Sequence, residues 1–135
     1  MSSRTNTSAI EQLQNFFDDK SIVPIPVMEG HHLTSTLSLI DENTVCVADS
    51  PYGIQAMKAI QEVDSAYDFF VLHGSPASNI MRINDTLITQ TNRDVNRLIK
   101  EIATERGLSI AKVDKSEYVK TDRLSGYSIL VKRNK

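Results

Sequence analysis

At 135 residues the chain has room for one domain rather than two, and a hydrophobic content of 40% lets such a domain fold without disulfides or metal. One cysteine, Cys46, excludes an intramolecular disulfide framework, and a net charge of −2 supplies no overall field toward nucleic acid or anionic lipid. No apolar run has the length of a transmembrane helix, and the polar start Met1-Ser2-Ser3-Arg4-Thr5 is not that of a signal peptide, so a soluble, cytoplasmic protein with no membrane partner is expected.

The first predicted element is a helix over residues 8–18, with Ile10, Leu13, Phe16 and Phe17 on one face. Ser8 and Glu11 have the spacing of a capping box, in which each side chain satisfies a backbone N–H at the helix start. A strand is predicted over 21–28. Two further strands, 33–40 and 44–48, flank the turn Asp41-Glu42-Asn43 and read as a hairpin. Ser50-Pro51 opens a second helix, with Ser as cap and Pro at the first helical position, and its Ile54, Met57, Ile60 and Val63 recur every three residues. A strand over 67–72 follows. A second hairpin, 79–83 and 86–90, turns at Asn84-Asp85. The third helix starts near Thr91, with Asp94 three positions on, stacks Val95, Leu98, Ile99, Ile102 and Ala103, and stops at Gly107. Strands over 108–113 and 124–132 complete the pattern, with 115–122 read as loop.

The helix starts are spaced by 42 and 41 residues, and Ile40-Asp-Glu-Asn-Thr44 returns as Ile83-Asn-Asp-Thr86. Hairpin, helix and strand therefore recur as one ββαβ unit, the mark of a repeat architecture. The units fall at about 7–32, 33–73 and 79–114, with a closing strand at 124–132, in a single domain over 1–135. That phase corresponds to about two and a half units of a longer array. An ordinary α+β sandwich with coincidental spacing is the competing arrangement.

A ββαβ unit of this length, repeated about a pseudo-symmetry axis, is the building block of the pentein, or five-bladed α/β propeller, fold. Ser3-Arg4-Thr5-Asn6, Val23-Pro24-Ile25-Pro26-Val27 and Gly30-His31-His32-Leu33-Thr34-Ser35 occur in that order, and Leu124-Ser125-Gly126-Tyr127-Ser128-Ile129-Leu130 follows near the C-terminus. These words resemble the C-terminal half of the dimethylarginine dimethylaminohydrolase (DDAH) family, relatives of arginine deiminase. The resemblance implies a partial pentein of the α/β class and a hydrolase that turns methylated arginine into citrulline and an amine. In that chemistry a cysteine thiolate attacks the guanidinium carbon, and a histidine protonates the leaving amine and then activates water. The resemblance places His32 at the catalytic histidine and Arg4 at the arginine that holds the substrate carboxylate. It implies an arginine-like small molecule as partner and no cofactor.

Two parts of the family site do not match. Gly126 stands at the position of the nucleophilic cysteine, and the units that supply the guanidinium-binding carboxylates have no counterpart here. The expectation is therefore a chain inactive on its own. The alternative is a non-catalytic binding or assembly module, as in a pentein-fold translation initiation factor that binds the large ribosomal subunit.

Other residues carry more modest readings. His31-His32 has no further His or Cys at ligand spacing, so no metal site is expected. His73 lies 41 residues after His32 and reads as its repeat equivalent, an ordinary loop histidine. Cys46, between Val45 and Val47, reads as a small core residue whose face the pattern leaves open. Gly74-Ser75-Pro76 is a turn without the spacing of a phosphate cradle. Residues 1–105 carry 7 basic and 14 acidic side chains, and 106–135 carry 8 and 3. With few aromatics among them, the C-terminal lysines and arginines read as charge protecting a sheet edge, not as a nucleic-acid site. Open sheet edges predict self-association or a partner chain.

Overall fold

Asn6 opens the first helix. In the computed structural model, which describes residues 5–27, 33–73, 80–90 and 97–114, helix α1 spans Thr7–Phe16. Asn6 is extended, and its Oδ1 accepts from the Ala9 N–H at 3.0 Å. The cap is thus two residues ahead of Ser8, and Ser8 lies inside the helix. The predicted strand over 21–28 is not a strand across its described residues. Pro24 and Pro26 remove alternate backbone donors, and the Ile22 N–H is taken by Gln14 Oε1 at 3.1 Å. Gln14 also donates to the Lys20 carbonyl at 2.8 Å, so one side chain lashes residues 20–22 to the helix.

A 3-10 turn at Leu33–Ser35 leads into β1 (Leu37–Asp41), which pairs antiparallel with β2 (Thr44–Ala48). Helix α2 (Pro51–Gln61) then returns the chain to β3 (Asp68–Leu72), parallel to β2 and in register from Thr44↔Asp68 to Ala48↔Leu72. Ser50 caps α2 as expected, its Oγ accepting from the Gly53 N–H at 3.1 Å. The buried face of α2 differs from the predicted Ile54–Met57–Ile60–Val63 row. Its buried residues are Gly53 and Ala56, and Val63 lies beyond the helix end. Small side chains are needed there, because a Cβ on Gly53 would sit 2.0 Å from the Ala48 carbonyl oxygen.

The second unit repeats the first. β4 (Met81–Ile83) pairs antiparallel with β5 (Thr86–Gln90), α3 (Arg97–Glu105) crosses over, and β6 (Ser109–Val113) runs parallel to β5. Both sheets have their strands in chain order, with the second of the three at the centre. Even the link beyond each ladder recurs: Asp68 N–H donates to the Asn43 carbonyl and Ser109 N–H to that of Asp85, at 2.7 and 2.8 Å. Asn84 supplies the left-handed turn residue with φ 50°. At the end of α3, Gly107 has φ 63°, and the Leu108 N–H reaches back to the Ala103 carbonyl at 2.8 Å. That pairing is a Schellman stop. The predicted start of α3 at Thr91 and Asp94, and the predicted strand 124–132, lie outside the described residues.

The two units share one core. Ile40, Cys46 and Leu72 of the first pack with Ile80, Leu87, Ile99, Ile102 and Ala103 of the second. Asp41, at the end of β1, pairs with Arg106 beyond α3 and ties the units at their rim. β2 is buried on both faces, with Val45 and Val47 turned to one side and Cys46 to the other. That is why alternation alone left the face of Cys46 open.

Candidate functional site

The parallel register of β2 and β3 places the residues after their ends side by side. Ala48 is level with Leu72, so Asp49 and His73 come next, and the Asp49 N–H donates to the Leu72 carbonyl at 3.4 Å. Asp49 Oδ2 and His73 Nδ1 are 2.5 Å apart. An ionised carboxylate can only accept, so the proton between them sits on Nδ1. His73 lies in the turn after β3, as expected of a loop histidine, and pairs with Asp49 there. Its side chain is 80% exposed, at the carboxyl ends of parallel strands where α/β sheets present functional groups. Asp49 was missed in the sequence. Two predicted strands ending at Ala48 and Leu72, paired in parallel register, would have identified the pair.

The 3-10 turn ahead of β1 belongs to the same end of the sheet, since the Ala48 N–H donates to the Thr36 carbonyl at 2.8 Å. Arg4, His31, His32 and Gly126 lie outside the described residues, as do Gly74-Ser75-Pro76 and the basic residues beyond 114. Cys46 is described and fully buried, and loss of solvation pushes its thiol up to about 12. It is a core residue with no thiolate to offer at neutral pH.

Among the described residues, two clefts lie against the first sheet. One of about 740 Å³ lies at the turn end, between Asp41-Glu42-Asn43 and Arg82 and Asn84. There Arg82 Nε donates to the Asn84 carbonyl at 2.7 Å, which holds the guanidinium against its own turn. The other, about 680 Å³, lies on the α2 side of the sheet. Ile25, Leu39, Val45, Ile60, Val63 and Tyr67 line it, with Asp19, Lys20 and Asp64 among its polar residues. Among the described residues no three or more His, Cys, Asp or Glu side chains cluster as metal ligands, and no helix is long and apolar enough to cross a membrane.

No protein-family model matches the sequence. Among solved structures the chain is similar to a cysteine-to-serine mutant of a Pseudomonas aeruginosa DDAH complexed with citrulline. The TM-score is 0.62 at 20% identity, over 90% of this chain and 46% of that one. It is also similar to a C. jejuni agmatine deiminase, as a cysteine-to-serine mutant with substrate bound (TM-score 0.57, 18% identity, 89% and 44% of the two chains). A further C. jejuni agmatine deiminase structure matches at TM-score 0.53 and 22% identity, over 83% and 42%. The chain spans about half the length of these structures. DDAH and agmatine deiminase are penteins. The fold here is that of about half a pentein α/β propeller, as the repeated ββαβ unit predicts.

Proposed function

We propose that this chain is a pentein-type module that binds an arginine-like small molecule without hydrolysing it as a single chain. The observation that carries the reading is the twice-repeated ββαβ unit, superposable on structures whose ligands are citrulline and a deiminase substrate. On this reading His32 occupies the position of the acid–base histidine and Arg4 that of the carboxylate-binding arginine. Gly126 occupies the nucleophile position, and with no side chain there no covalent intermediate can form. Cys46 offers no substitute, because it is buried in a strand with its thiol pushed up to about 12.

Two measurements test this. Calorimetry with arginine, methylarginine, citrulline and agmatine is expected to detect binding of at least one, weakened at least tenfold by Arg4→Ala. Assays for citrulline from methylarginine and for ammonia from agmatine are expected to show no turnover. Turnover by the single chain overturns the non-hydrolytic part. Absence of binding to all four ligands overturns the whole, in favour of a macromolecular assembly role. The reading includes association of the chain with itself or with a partner.

A further inference from the structure

Among the described residues β3 pairs with β2 alone, and β6 with β5 alone. The two units meet elsewhere, with β1 beside β4 and the Cys46 face of β2 in the shared core. Packing of one unit on the next thus leaves the outer edge of each sheet free.

Two hydrogen bonds fix which residues of β3 face that edge. The Asp68 N–H donates to the Asn43 carbonyl and the Asp49 N–H to the Leu72 carbonyl, at 2.7 and 3.4 Å. A parallel ladder engages alternate residues, so Asp68, Phe70 and Leu72 bond to β2. Phe69 and Val71 turn both their N–H and their C=O groups to the open side. Among the described residues nothing bonds to those outward groups. Phe69, Phe70 and Val71 are all half-buried, so apolar surface remains available along the strand.

β6 repeats the geometry with one telling difference in sequence. Its Ser109 N–H donates to the Asp85 carbonyl, so its outward residues are Ile110 and Lys112. Stepping back 41 residues from these gives Phe69 and Val71. Lys112 is exposed, and a charged side chain in mid-strand is how sheet edges discourage pairing. β3 has valine at that position, no proline and no bulge in its pairing. Its one charge, Asp68, lies at its start.

The open row is also complementary to itself. Laid antiparallel on a second copy about a two-fold axis at Phe70, it sets Phe69 opposite Val71 and Val71 opposite Phe69. Those are the positions with outward N–H and C=O groups on both copies. Phe70 then faces Phe70 in a non-hydrogen-bonded pair, where strands approach most closely and aromatic side chains interact. Asp68 comes opposite Leu72, so no like charges meet. A one-residue slip would set the outward groups against residues whose groups are engaged with β2.

We infer that the β3 edges of two copies of this chain pair antiparallel, joining their first sheets into one continuous sheet and closing a two-fold dimer. The inference gives a surface to the association included in the functional reading, and its test is separate from that of ligand binding.

Sedimentation of the full chain across a dilution series is expected to show a dimer. Val71→Pro removes an outward N–H and no bond to β2. It is expected to raise the dimer dissociation constant at least about tenfold, with the far-UV circular dichroism spectrum unchanged. Because proline can also disturb the strand, amide exchange of the wild type provides a second readout. The Phe69 and Val71 amides are expected to exchange at least about tenfold more slowly in the dimer than in the diluted monomer, with Phe70 protected in both. A wild type that is monomeric throughout overturns the inference. So does a folded Val71→Pro chain that dimerises as the wild type does, or a dimer whose Phe69 and Val71 amides gain no protection. Each of these results leaves ligand binding untouched, and the last two would move the dimer contact to another surface.

Discussion

Cys46 and Gly53 each owe their character to what β2 brings next to them. Cys46 sits between two sheets, and burial disfavours its charged form. The unfolded thiol ionises near 9 and the folded one near 12. Between those values the native state holds the extra proton, so stability falls as pH rises. The slope reaches about 1.4 kcal/mol per pH unit. Denaturant titrations at increasing alkaline pH are expected to show this fall in the wild type and a shallower one in Cys46→Ala. A thiol reagent is expected to label Cys46 only on unfolding. For Gly53 two effects oppose each other. Alanine improves helix propensity by about 1 kcal/mol, but its Cβ would meet a backbone oxygen at 2.0 Å. Backbone cannot yield cheaply, so the clash wins. Gly53→Ala is expected to destabilise the fold by about 1–3 kcal/mol, read as a lower urea midpoint.

The elements show where local chemistry suffices. Ser50-Pro51 starts α2 and Gly107 stops α3 because each supplies its backbone requirement from one or two residues. At Gly107 a Cβ would meet nothing within 4 Å, so only the positive φ opposes substitution. Gly107→Ala is therefore expected to cost about 1 kcal/mol, with the loss confined to the end of α3 in hydrogen exchange. Elsewhere the pattern misled for identifiable reasons. Ser8 and Glu11 have capping-box spacing, but Asn6 lies further out and its carboxamide captures the Ala9 N–H first. Residues 21–28 read as a strand. Two prolines and the Gln14 side chain take away the donors that a ladder would need. The three-residue apolar recurrence of α2 was real, yet the face against β2 is set by how closely the helix approaches, and that selects Gly53 and Ala56.

For the whole molecule, the repeat matters most. Two ββαβ units with identical strand order share one core and are tied by Asp41 and Arg106. This is the level at which ligand binding without turnover is expected, since it depends on surfaces that one strand or helix does not make alone. The sequence by itself determined the hairpins, the caps at Ser50 and Gly107, and the repeat spacing of 42 and 41 residues, because turn chemistry and periodicity are local. Only the tertiary structure decided which faces meet. Asp49 and His73 are 24 residues apart and become neighbours through the parallel register of β2 and β3. The cleft beside α1 is visible only once Val45, Ile60 and Tyr67 are assembled on one surface. Such contacts depend on packing between distant segments, which no local pattern encodes.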